Sequence, residues 1–285
     1  MEKRKIDIAV ISDVHLGTYG CRANELCRYL TAIDPSILIL NGDIIDIWQF
    51  RKKYWPSSHM QVVKQITSML SRGIKVYYVT GNHDEMLRRF EHFSIGNFHI
   101  VNKMVIHHDN GDTSWVFHGD VFDVTMQHSK WLAKLGAIGY DTLILINAFI
   151  NYCSEKLGRG RISMSKKIKD SVKSAVSFIN HFEDTVSELA IDKGYQHVLC
   201  GHIHQPVIKE YSNKKGSVQY LNSGDWIENL TALEYEGGSW SIYEYNNDQV
   251  AQSFSRSHLL DEAAFLQTTE LFKKMLEDFF PSPAA

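Results

Sequence analysis

Four cysteines in 285 residues are too few for a disulfide-framed fold. Cys21, Cys27, Cys153 and Cys200 form neither a zinc-knuckle spacing nor a C-x-x-C pair, which excludes a thiolate metal site and a dithiol redox motif. A reducing, cytoplasmic compartment fits that usage. Long hydrophobic runs are also missing. The most apolar stretch, Leu143–Ile150, is broken by Asn147 and falls far short of the ~20 residues that cross a bilayer. Met1-Glu2-Lys3-Arg4-Lys5 is basic, but the strand after it carries Asp7 and soon reaches Ser12-Asp13, so no signal peptide is expected. Neither sign of charge dominates. Thirty Lys and Arg face 33 Asp and Glu for a net charge of −3, so no nucleic-acid partner is expected.

What is present is globular. Hydrophobic residues make up 44% and aromatics 12%, and the length allows a large core in one domain or two. Ile6–Ile11 reads as a first strand and residues 22–33 as a helix that Pro35 closes. A strand at 37–41, a helix over 59–72 and a strand at 74–79 follow. This βαβαβα order predicts parallel strands. Residues 98–107 and 114–118 read as a hairpin about Asp109-Asn110-Gly111-Asp112. Residues 124–192 read as mostly helical. Strands return near 196–200, 206–211, 218–222, 230–236 and 239–245, and an amphipathic helix starts near 259.

The 14 histidines are many for this length and cluster in short motifs. Asp43 follows the apolar run Ile37–Leu40, where an open α/β sheet builds its site. Four other strand ends carry Asp13 and His15; Asn82 and His83; His118; and His202 and His204. In D-x-H and H-x-H a strand period of two would turn both side chains the same way. Singly, each residue is better explained as a turn, a cap or a satisfied histidine. Together they are a set of carboxylate, imidazole and amide groups, which suits Mn²⁺, Fe²⁺ or Zn²⁺ rather than a thiolate-seeking ion. So many groups exceed the needs of one tetrahedral ion. They suit two ions ~3.5–4 Å apart, as in phosphoester hydrolysis.

The order D-x-H, G-D-x-x-D, G-N-H-D, H, G-H-x-H, running from Asp13 to His204, resembles the calcineurin-like metallophosphoesterase superfamily. The resemblance implies an α/β (α+β) fold: a four-layer α/β/β/α sandwich with two mixed sheets and a helical insertion. It implies that Asp13, His15 and His204 hold one divalent ion and Asn82, His118 and His202 the other, with Asp43 bridging. His83 would stabilise phosphate charge or act as an acid, and Asp84 would orient it. Asp46 would be support rather than a ligand.

Asp43–Trp48, the helical stretch after His118, and Asn222-Ser223-Gly224-Asp225-Trp226 resemble the UDP-2,3-diacylglucosamine pyrophosphatases of lipid A synthesis. That family releases UMP and an acylated sugar 1-phosphate, usually with Mn²⁺. In its best-known branch an Arg follows the metal-binding Asn; here the residue is His83. The chain thus reads as a domain at 1–250 with an insertion at about 124–180 and a C-terminal helical extension over 251–285. Thr142–Ile150 is apolar on nearly all faces, and residues 156–173 carry seven Lys and Arg against Asp170 alone. These suit acyl chains, phosphates and peripheral association with an anionic inner membrane, with Lys166 and Lys167 as substrate-phosphate contacts. A helical hairpin with a solvated basic face explains the same residues. A general phosphodiesterase for nucleotides or another lipid-linked substrate is the alternative activity, and a non-catalytic scaffold on the same fold is a third reading.

Overall fold

The parallel order predicted from alternating elements is realised around β1 (Arg4–Ile11), which pairs in parallel with β2 (Ile33–Asn41), which in turn pairs with β3 (Lys75–Val79). The computed structural model describes residues 3–47, 54–122 and 164–254, the side chains of 164–176 excepted. Helix α1 (Ala23–Ala32) links β1 to β2, and α2 (Ser57–Ser71) precedes β3. β4 (Ser94–Ile95) and β5 (Phe98–Val101) extend this sheet on one side. β11 (Thr231–Glu236) and β12 (Ser239–Glu244) extend it on the other, giving the order β12-β11-β1-β2-β3-β5-β4. The second sheet has the order β6-β7-β8-β10-β9, from β6 (Lys103–His107), β7 (Thr113–Phe117), β8 (His197–Cys200), β9 (Val207–Asn213) and β10 (Gly216–Asn222). The fold is a mixed α/β architecture with two mixed sheets.

Alternation along the strands sorts two cores. Ala9 and Ile11 of β1, Leu38 and Leu40 of β2, and Val76 of β3 pack with Leu26 and Leu30 of α1 and Val62 and Met69 of α2. Ile8, Val10, Ile39 and Val79 face the other way, onto Ile106, Val116, Leu199 and Leu221 from the second sheet. Each large apolar side chain so buried stabilises by roughly 1.5–3 kcal/mol. The central strands are therefore apolar on both faces, and polar residues collect at their ends.

The chain divides into two compact units: Met1–His118 with Leu199–Ile208 and Leu221–Ala285, and Gly119–Val198 with Lys209–Tyr220. In the second, α3 (Met164–Asp192) buries Phe182, Val186 and Ala190, and Phe182 meets the Tyr220 ring edge-on at 6.5 Å. Its buried Glu183 accepts from Lys209 Nζ at 2.9 Å and from the Tyr211 hydroxyl.

Two expectations shift. Pro35 does not close α1. The helix ends at Ala32, and Pro35 lies inside β2 opposite Ile6, near the strand start where a missing N–H is tolerated. Residues 98–107 are two strands, because the chain crosses from the first sheet to the second at Asn102, whose side chain accepts from Thr80 Oγ1 at 2.7 Å. The expected insertion lies largely outside the described residues, as does the extension beyond the short α4 (Gln249–Ser253).

His59 ties α2 to the loop after β1. It is buried, and its Nδ1 accepts the Gly17 N–H at 2.9 Å. Burial pushes its pKa down from 6.5 to about 4. The unfolded chain therefore binds a proton that the folded chain refuses, so this contribution to stability is complete above pH 6.5 and lost as pH falls towards 4. Urea unfolding across that window should show a shallower pH slope for His59→Asn than for the wild type.

Candidate metal centre

The candidate residues lie just beyond strand ends, all in the first unit. Asp13 and His15 follow β1, Asp43 and Asp46 follow β2, and Asn82, His83 and Asp84 follow β3. His118 follows β7, and His202 and His204 follow β8. Backbone hydrogen bonds lace these loops together. Asp13 N donates to Gly42 O at 3.1 Å, His15 N to Asp43 O at 2.9 Å, and Gly201 N to His118 O at 2.9 Å. Carboxylates join in: Asp43 Oδ1 accepts from His83 N at 2.8 Å, and Asp13 Oδ2 from His202 N at 3.0 Å.

Three groups of side chains each bring their donor atoms within 4.8 Å of one another: Asp13, His15 and His204; His15, Asp43 and His83; and Asp43, His118 and His202. Asp43 belongs to two of them. Its Oδ2 lies 3.3 Å from His118 Nε2 and 3.9 Å from His15 Nε2, while Asp13 Oδ1 lies 3.1 Å from His204 Nε2. His15 Nε2 and Asn82 Oδ1 are buried and make no hydrogen bond. A buried polar atom so placed is costly unless something occupies it. A divalent cation fits this donor set, and two fit better than one, since the groups overlap at Asp43.

An outer layer orients these rings. His118 Nδ1 donates to Asn41 O at 2.8 Å, which fixes the tautomer that turns Nε2 towards Asp43. Asp46 Oδ2 lies 3.1 Å from His83 Nδ1 and 3.5 Å from His15 Nδ1. Asp225 Oδ2 lies 3.6 Å from His204 Nδ1, while its Oδ1 accepts from the N–H groups of Ile227 at 2.8 Å and Glu228 at 2.7 Å. Asp225 was not among the expected site residues. The Asn222–Trp226 motif was its signal, but spacing alone did not tie it to His204.

Burial would raise the pKa of Asp13 and Asp43, but their neighbours win. His204 leads in holding Asp13 below the usual carboxylate range, and His118 leads in holding Asp43 well below it. His83 runs the other way: burial lowers it, but Asp46 and then Asp43 outweigh that and raise it. Asp84 is pushed up, first by burial and then by Asp43. The expectation that Asp84 orients His83 meets a different geometry. Asp84 accepts from Ile44 N at 2.9 Å, Gly81 N at 2.6 Å and Tyr78 Oη at 2.6 Å, so it clamps the two loops, while Asp46 meets the His83 ring at Nδ1. Lys166 and Lys167 are helical in backbone, but their side chains fall outside the described residues.

The backbone here is strained. Seven non-glycine residues among those described have positive φ, and five belong to this site: Asp13 (51°), His15 (52°), Asp43 (54°), His202 (67°) and His204 (54°). Such conformations cost on the order of 1–3 kcal/mol each and persist where the surroundings over-determine them. They also revise the expected reason for the D-x-H and H-x-H spacings. β1 ends at Ile11 and β8 at Cys200, so these pairs converge through left-handed turns, not strand alternation. Close packing leaves no room for a side chain at Gly81, where a Cβ would lie 2.2 Å from Asp43 Oδ1. Gly81→Ala should weaken Mn²⁺ binding by roughly tenfold or more. Gly216→Ala, whose Cβ would meet nothing nearer than 3.7 Å, should leave it unchanged. Equilibrium dialysis with metal analysis would compare the two.

The chain is similar to known proteins. The calcineurin-like phosphoesterase family profile matches residues 6–206. The UDP-2,3-diacylglucosamine hydrolase of Blochmanniella pennsylvanica (strain BPEN) is 24% identical over 263 residues, spanning 87% of this chain and 97% of its own. That of Aliivibrio fischeri (strain MJ11) is 22% identical over 244 residues, spanning 83% and 98%. Among solved structures, a dimetal phosphatase from Danio rerio aligns over 83% of this chain and 95% of its own, at 12% identity and a TM-score of 0.39, too distant a likeness to argue from. With the profile covering more than half its length, this chain belongs to the calcineurin-like phosphoesterase family and is a metal-dependent phosphoester hydrolase.

Proposed function

We propose that this hydrolase cleaves the diphosphate of a nucleotide-linked, acylated sugar of the UDP-2,3-diacylglucosamine kind, releasing UMP and the acylated sugar 1-phosphate. The observation that carries the reading is the pair of overlapping donor groups meeting at Asp43. The names of the relatives, at 22–24% identity along most of the chain, support the substrate class. Asp13, His15 and His204 would hold one divalent ion, Asn82, His118 and His202 the other, and Asp43 both, with Mn²⁺ the preferred ion. When bound, two such ions supply Lewis-acid stabilisation of phosphoryl oxygens and acidify an attacking water.

The chain's own residues supply the rest. Asp46 anchors the His83 ring through Nδ1, so its Nε2 is the atom for a hydrogen bond to a phosphoryl or leaving-group oxygen. Asp84 and Tyr78 hold the loop that carries Asn82 and His83 against the loop that carries Asp43. Asn41 and Asp225 keep His118 and His204 oriented. No side chain needs to serve as a covalent nucleophile. Lys166 and Lys167 would meet substrate phosphate, and the apolar run 142–150 beside the basic stretch 156–173 would suit acyl chains at an anionic membrane surface. No described helix is long and apolar enough to cross a membrane.

Purified protein with Mn²⁺ should release UMP from the diacyl-sugar nucleotide. Asp43→Ala should lose more activity than Asp46→Asn or Asp225→Asn, which should each cost roughly 10- to 100-fold. Turnover of simple phosphodiesters but not of that substrate would replace the proposal with a general phosphodiesterase. Absence of bound divalent ions together with inactivity on every phosphoester would favour a scaffold.

A further inference from the structure

The loop that leaves His15 carries an aromatic residue that the metal centre does not use. Tyr19 is 82% exposed, the most exposed large hydrophobic side chain among the described residues. It is not a loose side chain on a loose loop. Its ring lies 3.8 Å from that of Tyr54, centroid to centroid, with the planes 34° apart. Tyr54 in turn meets the buried His59 edge-on at 5.8 Å, and His59 is bonded to Gly17 N. The turn before Tyr19 is closed by Thr18, whose N–H and hydroxyl both donate to His15 O, at 3.1 and 2.9 Å. An aromatic ring has been fixed in place and then left in water.

Beside it runs a groove of about 470 Å³, lined by Tyr19, Arg22, Asn24, Glu25, Ser58 and Ile227 among others. Both of its walls continue into the candidate metal ligands. Tyr19 stands four residues after His15, so at most ~14 Å of chain separates them. Ile227 follows Trp226, whose N–H donates to Asp13 O at 3.1 Å, and Ile227 N itself donates to Asp225 Oδ1 at 2.8 Å. The groove is thus tied to the centre through two short stretches of chain.

Its chemistry discriminates between the two halves of the proposed substrate. Acyl chains call for a lining that is predominantly apolar. This groove offers one broad aromatic face and, around it, a guanidinium, an amide, a carboxylate and a hydroxyl. A nucleobase has that pairing of features: a π-face that stacks on tyrosine and an edge of donors and acceptors. We propose that Tyr19, backed by Tyr54, is the stacking shelf for the base of a nucleotide whose phosphate sits at the metal centre. This rests on the reading of the substrate as nucleotide-linked and assigns the nucleotide end to the groove of Tyr19 and Ile227.

The test is equilibrium binding to the full-length, Mn²⁺-loaded protein, with UMP and ribose 5-phosphate as probes in titration calorimetry. Tyr19→Ala should weaken UMP binding by about tenfold, in the range that loss of one base–aromatic stack produces, and leave ribose 5-phosphate binding unchanged. Tyr19→Phe, which keeps the ring, should bind UMP within about twofold of the wild type. Equal losses for both probes would mean that Tyr19 only shapes the loop. No loss for either would mean that the base lies elsewhere. Both results overturn the shelf. A wild type that binds UMP through Tyr19 but does not cleave the diacyl-sugar nucleotide would keep the shelf and remove the proposed substrate. One that cleaves it while Tyr19→Ala binds UMP normally would do the reverse.

Discussion

A buried carboxylate has to be neutralised, and around Asp43 the structure is arranged to do it. Only 2% of its surface reaches solvent, and its Oδ2 has His118 and His15 beside it. Desolvation alone would drive a proton onto it, yet the surrounding imidazoles hold it ionised. Leaving that charge buried is tolerable only with cationic or metal partners close by. Nearly every other feature of the site serves that requirement. The loops after β1, β3, β7 and β8 all turn inward to the end of β2. Several of their backbone bonds run from one loop to the next.

Strain and support go together here. Five residues in left-handed backbone at one site are unfavourable locally, so something global must hold them. The two apolar cores do so, because strands buried on both faces have their ends fixed in space. Asp84 then pins two loops with one carboxylate, bonded to Ile44 N, Gly81 N and Tyr78 Oη. Its lack of exposure and its bonds to two backbone N–H groups and a tyrosine hydroxyl suit a structural clamp. Asp46 and Asp225, by contrast, each reach a histidine. The division of labour among carboxylates is thus set by what each one faces. Asp13 and Asp43 face the donor groups, Asp46 and Asp225 stand behind the rings, and Asp84 stands behind the backbone.

This arrangement also separates catalysis from recognition. The centre itself contains little that would tell one phosphoester from another, since its parts address phosphoryl oxygens. Selectivity has to come from its rim. In the first unit the groove beside Tyr19, lined largely by polar groups, is joined to the centre by short stretches of chain. The apolar and basic run of residues 142–173 lies elsewhere in the chain. A substrate with a polar, aromatic end and a greasy end would have use for both.

The amino-acid sequence by itself determined the parallel β1-β2-β3 order, because short apolar runs alternating with helical spacing admit few other arrangements. It also pointed to the candidate ligands, because Asp, His and Asn recurred at one kind of place, the end of an apolar run. Family membership was legible for the same reason. What only the tertiary structure decided was which groups face one another. Asp46 and Asp84 follow glycine-containing turns in similar motifs, and nothing local distinguishes a carboxylate behind a histidine ring from one that binds backbone N–H groups. Asp225 is separated from His204 by a hairpin, so their proximity depends on β8 and β10 lying side by side. The left-handed turns of Asp13, His15, His202 and His204 were hidden as well, because L-residues adopt them only when contacts distant in sequence compel it. Nothing in the sequence singled out Tyr19; only folding set Tyr54 beside it and left its ring exposed.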